Sequence, residues 1–267
     1  MLITFIGGGN MATALISGLV NPPRAHLGIR VCDHNREARD HLEKTFGIVT
    51  YTEARSAIEG ADVIVLAVKP QNMPEVLAEL KGNTDPGQLI LSVAAGITIS
   101  SIRDELGMES NVIRSMPNTP ALVGRGITGV VAAQQSSQLQ REQAEEILSA
   151  AGDVVWLDDE SLMDAVTAIS GTGPAYFFLL AEALGAAARE MGLPADTADR
   201  LASMTCFGAG AMLASSPGEA EELRLRVTSP GGTTQAAMVV LEDGEFRELV
   251  LKAAKAARDR SRELALK

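Results

Sequence analysis

Apolar residues follow two different rhythms along this chain. Up to about residue 157, short apolar runs alternate with longer amphipathic stretches. Residues 2–6, 29–32, 48–51, 62–68, 88–93, 111–114, 126–132 and 153–157 read as strands, with helices at 13–20 and 54–59 among the segments between them. The run Val63-Ile64-Val65-Leu66-Ala67-Val68 is apolar at every position, as a parallel strand covered on both faces must be. Such alternation predicts a doubly wound sheet. From Glu160 onward strand signals vanish and helical periodicity takes over, predicting helices at 162–169, 173–191, 194–214 and, in two pieces, 232–266. The expected architecture is α/β: an N-terminal Rossmann-like doubly wound sheet over residues 1–158, followed by an all-α C-terminal domain over 159–267.

Composition narrows this further. The 267 residues are 46% apolar but only 3% aromatic, so the cores must be built from Ala, Val, Leu and Ile, which suits closely packed helices. A net charge of −11 argues against a nucleic-acid or anionic-membrane surface, while leaving room for a local basic pocket. No uncharged apolar run approaches the roughly 20 residues of a membrane span. The first residues lack a basic leader region and read as a strand, not a signal peptide. Cys32 and Cys206 are far apart and of different context, so they read as packed thiols of a reducing compartment. A cytoplasmic enzyme is expected, with small molecules or copies of itself as partners and no metal.

The strand-to-helix junction Gly7-Gly8-Gly9-Asn10-Met11-Ala12 has the form G-x-G-x-x-A. Its glycines permit a tight turn and a close approach of pyrophosphate to the backbone, and Ala12 keeps helix and sheet together. The second strand ends in Asp33-His34-Asn35-Arg36, where a Rossmann unit meets the adenosine ribose. Asp33 favours a 2′-hydroxyl and hence NADH, whereas Arg36, helped by Asn35, favours the 2′-phosphate of NADPH; both cofactors stay open. Lys69, after Ala67 and Val68 and before Pro70, sits at the carboxyl end of a buried strand, where the cofactor crosses the sheet. Ala94, Ala95 and Gly96 end the next strand with residues small enough to let a ring lie against backbone.

Late in the chain, Val227-Thr228-Ser229-Pro230-Gly231-Gly232-Thr233-Thr234 is a proline-glycine turn opening a helix, with Ser229 placed to cap and Pro230 preset for the first helical position. Its unpaired N–H groups would suit a carboxylate or phosphate, although an ordinary helix start would look the same. His26, His34 and His41 all lie in the predicted nucleotide domain, and no lysine occurs between Lys81 and Lys252. The helical half therefore offers no histidine, and no lysine ahead of Lys252, as a general acid of carbonyl reduction. Hydroxyls, backbone N–H groups, Tyr176 and carboxylates such as Asp159, Glu160 and Asp164 remain. That set suits a substrate carrying its own proton, such as a cyclic imine, which the enzyme need only position for hydride transfer.

Taken with their order, these motifs resemble the pyrroline-5-carboxylate reductase family over essentially the whole chain. The likeness includes Phe5 to Ala12, Ala67-Val68-Lys69-Pro70-Gln71, Arg114-Ser115-Met116-Pro117-Asn118-Thr119-Pro120, Asp164-Ala165-Val166-Thr167, Ser170-Gly171-Thr172-Gly173-Pro174-Ala175-Tyr176 and the turn at 227–234. The resemblance implies reduction of 1-pyrroline-5-carboxylate to L-proline with NADPH or NADH. It implies cofactor contacts from Gly7, Gly8, Gly9, Asn10, Met11, Ala67, Val68, Lys69 and Pro70, with Ala94 and Ala95 under the nicotinamide and Asn118 in a loop of the same pocket. It further implies a substrate-carboxylate loop of Ser229, Gly231, Gly232, Thr233 and Thr234, Thr234 meeting the ring nitrogen and Glu160 adding an acidic group. Homo-oligomers built through the helical domain are expected, as a dimer or a pentamer of dimers. Two departures stand out: residues 52–55 lack an asparagine that many members place near the adenosine, and the segment 216–222 is unusual. A reductase of a related cyclic imine and a catalytically silent nucleotide-binding regulator are the alternatives.

Overall fold

The structure, a computed structural model, describes residues 1–22, 24–216 and 220–265. Leu266, the expected end of the last helix, and Pro217, Gly218 and Glu219 of the unusual segment lie outside the described residues. The chain forms two compact units, one of Met1–Thr172 with Ala257–Lys267 and one of Gly173–Ala256.

The first unit is built on an eight-stranded sheet. Its strands are β1 (Leu2–Ile6), β2 (Gly28–Cys32), β3 (Val49–Tyr51), β4 (Val63–Leu66), β5 (Leu89–Ser92), β6 (Asn111–Met116), β7 (Gly126–Ala132) and β8 (Gly152–Trp156). They lie in the order β3-β2-β1-β4-β5-β6-β7-β8, parallel except for the β6–β7 pair. Ile6 is level with both Cys32 and Leu66, and Leu66 with Ser92, so the carboxyl ends of β2, β1, β4 and β5 form one rim. The strand order reverses between β1 and β4, the place where open α/β sheets take their ligands.

Alternate residues of these strands feed two cores. Ile3, Phe5, Val63, Val65, Leu89 and Leu91 pack on one face with Leu15 and Leu19 of helix α1 (Asn10–Val20). Ile6, Ile64, Leu66 and Ile90 pack on the other with residues from α3 (Ala54–Ile58), α4 (Met73–Leu80) and α5 (Ile99–Leu106). Helices α2 (Arg36–Phe46) and α6 (Gln138–Leu148) complete the crossover connections. The period-2 alternation explains why the central strands are apolar throughout.

The first unit runs past the boundary expected at residues 158 and 159. Helix α7 (Met163–Val166) continues into a π-helical turn, Thr167–Gly171, two residues past the expected helix end at 169. Thr172 closes that turn by donating both its N–H and its hydroxyl to Thr167 O, at 2.8 and 3.0 Å. Long-range bonds tie this stretch to the sheet unit: Asn118 Nδ2 donates to Ser170 O at 3.3 Å, and Ser261 Oγ to Asp164 Oδ1 at 2.7 Å.

The second unit holds α8 (Gly173–Glu190), α9 (Ala195–Ser215), α10 (Ala220–Arg226), α11 (Thr233–Asp243) and most of α12 (Phe246–Ala265). Helix α10 was not expected from the sequence pattern. Among the described residues of this unit, Ala198 and Ala202 are its buried apolar side chains, while Phe178 and Phe207 are each 68% exposed and Val240 71%. Helices apolar on several sides with so little of that surface covered present an interface in waiting. Among the described residues no helix is long and apolar enough to cross a membrane.

Candidate active site

At the rim, Gly7 adopts φ +100°, and a Cβ there would stand 2.8 Å from Ala67 O. Only glycine fits between β1 and β4 at this point. Gly9, by contrast, faces open space, with no heavy atom within 4 Å of its Cβ position. It is the N-cap of α1, makes no side-chain cap, and is followed by a first turn without an acidic residue. Asn10 and Met11 open that helix, whose first N–H groups have no partner within it. A roomy glycine turn leading into an uncapped helix start fits the pyrophosphate of a dinucleotide.

The end of β2 is more heavily bonded than its sequence suggests. Asp33 Oδ2 accepts the Gly8 N–H and Oδ1 accepts the Asn35 N–H, both at 2.7 Å. Asn35 spends its side-chain oxygen capping α2, accepting from Glu37 N and Ala38 N. Arg36 extends into solvent, its Nε 3.8 Å from Asp40 Oδ2. Arg39, which the sequence reading passed over, donates to Asp33 O at 2.6 Å and His34 O at 3.1 Å. Arg36 and Arg39 line an open cleft of about 550 Å³ with Asp40, Tyr51, Thr52 and Glu53. The two arginines share that lining with three carboxylates, Asp40, Glu43 and Glu53, and the signal for Arg39 was its spacing of one helical turn from Arg36. Beneath the rim, burial, and then the charge of Glu79, push the Cys32 thiol up from 9.0 to about 11.

The neighbouring strand ends supply the rest of the rim. Ala67 and Val68 are half-buried beside Gly7, and Lys69 is exposed where β4 passes into the turn Pro70–Asn72. Ala94 is buried after β5 and Ala95 is exposed. Asn118 is nearly buried and committed at both ends, accepting from Ile127 N at 3.0 Å and donating to Ser170 O. Glu160 Oε1 accepts from Arg114 Nη1 and from Ile99 N, each at 2.8 Å. A carboxylate oxygen so engaged holds α5 and β6 in place, which gives Glu160 a positioning contact.

In the second unit the turn is built differently from expectation. Gly232 N donates to Ser229 O at 3.1 Å, Pro230 follows Ser229, and Gly231 takes φ +70°. These are the marks of a type II β-turn, with proline second and a left-handed glycine third. Gly232, not Ser229, is therefore the N-cap of α11, and Pro230 lies in the turn ahead of the helix. The helix starts at Thr233, with Thr234 second and no side-chain cap on its first N–H groups. Gly231 N is satisfied internally by Gln235 Oε1 at 2.6 Å. An exposed turn ending in an uncapped eleven-residue helix offers donors to a small anion.

Fold and rim together define a Rossmann-type oxidoreductase with an added helical unit. Residues 160–264 match a family model described as pyrroline-5-carboxylate reductase dimerisation, and residues 2–96 one described as NADP oxidoreductase, coenzyme F420-dependent. A pyrroline-5-carboxylate reductase of Pseudomonas aeruginosa is 48% identical over 98% of this chain and 96% of its own length. The solved pyrroline-5-carboxylate reductase of Coxiella burnetii superposes with a TM-score of 0.93 at 41% identity, covering 98% of this chain and 97% of that one. The pyrroline carboxylate reductase of Plasmodium falciparum, solved with NADP bound, gives 0.85 at 27% identity, covering 99% of this chain and 98% of that one. The chain belongs to the pyrroline-5-carboxylate reductase family.

Proposed function

We propose that this protein reduces 1-pyrroline-5-carboxylate to L-proline with NADPH or NADH, as a cytoplasmic homo-oligomer. The observation that carries the reading is the match to a pyrroline-5-carboxylate reductase along 98% of the chain. The roomy turn at Gly9 and the arginines that line the cleft at Arg36 support a dinucleotide on the first unit. The exposed apolar faces of the second unit and its likeness to a dimerisation model support a dimer, alone or as the element of a pentamer of dimers. No surface basic enough for nucleic acid is expected at a net charge of −11.

In the mechanism, the reduced nicotinamide supplies hydride when bound. Gly7 and Gly8 shape the turn beneath the pyrophosphate, Gly9, Asn10 and Met11 hold it through backbone N–H groups, and Arg36 faces the 2′-phosphate when one is present. Ala67, Val68, Lys69 and Pro70 border the cofactor's path across the rim, with Ala94, Ala95 and Asn118 lining its nicotinamide end. Ser229 and Thr233 hold the substrate carboxylate at the start of α11, with Gly231 and Gly232 forming the turn that presents them. Thr234 accepts a hydrogen bond from the protonated ring nitrogen, orienting the imine carbon. As that carbon gains hydride, the C=N π pair moves to nitrogen and the iminium becomes the neutral amine of the ring. No protein acid is needed, because the proton is already on the substrate. Glu160 serves as a positioning residue.

The test is to follow oxidation of NADPH and of NADH with pyrroline-5-carboxylate and to quantify proline, running a six-membered cyclic imine and a 2-carboxylate isomer in parallel. One proline per cofactor oxidised, with the five-membered 5-carboxylate turned over fastest, is expected. Silence with both cofactors would favour a nucleotide-binding regulator.

A further inference from the structure

Asp33 occupies the position where a carboxylate ordinarily reads the adenosine ribose, yet its bonds point into the protein. Gly8 is buried, and its N–H donates to Asp33 Oδ2 at 2.7 Å. The adjacent Gly7 N–H donates to Cys32 O at 2.8 Å, so two successive donors of the glycine turn are held by the end of β2. The other carboxylate oxygen accepts from Asn35 N, the Asp33 N–H donates to Tyr51 O at 3.2 Å, and the Asp33 carbonyl accepts from Arg39. One residue thus joins the turn after β1, the end of β3 and the start of α2. Space agrees with this bonding: a Cβ on Gly8 would stand 2.8 Å from Leu42 Cδ1 and 3.4 Å from Asp33 Oδ2.

We infer that Asp33 is a positioning residue that shapes the glycine turn, and that it does not choose between NADH and NADPH. Removing its carboxylate leaves the buried Gly8 N–H without its acceptor, a cost that falls on the turn itself. The turn meets the part of the molecule common to both cofactors. Its loss therefore weakens both alike, and discrimination is left to the cleft at Arg36 and Arg39. A ribose-reading aspartate behaves otherwise: its removal weakens NADH and spares or improves NADPH.

Two measurements on Asp33→Ala separate these behaviours, with Asp33→Asn as the variant that keeps shape and one acceptor should the first fail to fold. In the cofactor-free protein, amide hydrogen exchange at Gly8 is expected to speed up by about tenfold or more, since its protecting bond is gone. In titrations of the intact protein with NADH and NADPH, both dissociation constants are expected to rise by the same factor. Unchanged exchange at Gly8 in Asp33→Ala overturns the inference. So does a shift of the NADH-to-NADPH affinity ratio by about tenfold or more, the size of one lost charged hydrogen bond. The inference builds on the cofactor half of the proposed function, but the exchange experiment needs neither cofactor nor turnover, so failure of the one is distinguishable from failure of the other.

Discussion

Arg114, with its side chain only 6% exposed, donates to Glu160 Oε1 at 2.8 Å, and the same oxygen accepts the Ile99 N–H that opens α5. A buried guanidinium on β6 is thereby neutralised by a residue 46 positions further along. Removing one partner strands the other's charge, whereas replacing both by apolar side chains removes the problem. Glu160→Ala is expected to lose about 2–4 kcal/mol of stability, somewhat tempered by the partial exposure of Glu160, and Arg114→Met with Glu160→Met less than that. Urea unfolding of the single and double variants measures the coupling; strictly additive losses would show that the pair does not act as a unit. Glu160→Gln should leave the shape of the pH–rate profile intact. Loss of one limb would make Glu160 a proton donor after all.

Thr234 is the second residue of α11, directly after the type II turn. Thr234→Ala is expected to lower kcat by about ten- to a thousandfold, as for one oriented hydrogen bond at a reacting centre. The cofactor dissociation constant should stay the same, because the dinucleotide is held by the other unit. Steady-state kinetics with pyrroline-5-carboxylate, alongside cofactor titration, checks both halves, and wild-type turnover would remove Thr234 from the mechanism.

Arg36 reaches into solvent at the edge of the cleft beside α2. Arg36→Ala should raise the dissociation constant for NADPH by about tenfold while leaving NADH unchanged. Equal weakening of the two cofactors, or none, would move the 2′-phosphate elsewhere, with Arg39 the next residue to test.

Cys32 is buried at the end of β2, its thiol pushed up to about 11 chiefly by burial. The folded protein holds this proton more tightly than the unfolded chain does. The stabilisation is therefore full below 9.0, the ordinary thiol value, and is lost as pH rises through about 11. Iodoacetamide at about pH 8 should leave Cys32 unmodified in the native protein and alkylate it once the chain is denatured, as peptide mass analysis would show. Rapid alkylation of the native protein would contradict a closed thiol.

The order of apolar and polar positions was enough to specify the strands, the doubly wound sheet and the shift to helices after residue 160, because burial on one or two faces leaves a period that needs no knowledge of the fold. The glycine turn at residues 7–9 was equally legible, since backbone conformation and close approach restrict residue type locally. What the period could not carry were relationships between residues remote in sequence. The order of the strands places β2 beside β1, and so turns Asp33 back onto Gly8; it also places Arg114 within reach of Glu160. Arg39 became visible only once α2 aimed it at the carbonyls of Asp33 and His34. Thr172, and the bonds of Asp164 and Ser170 to distant partners, carried the first unit beyond the point where the composition changes. Even at residues 229–234, where the sequence marked a turn opening a helix, the choice of Gly232 over Ser229 as the cap belonged to the folded backbone: the hydrogen bond from Gly232 to Ser229 closes the turn first, and the helix can begin only after it.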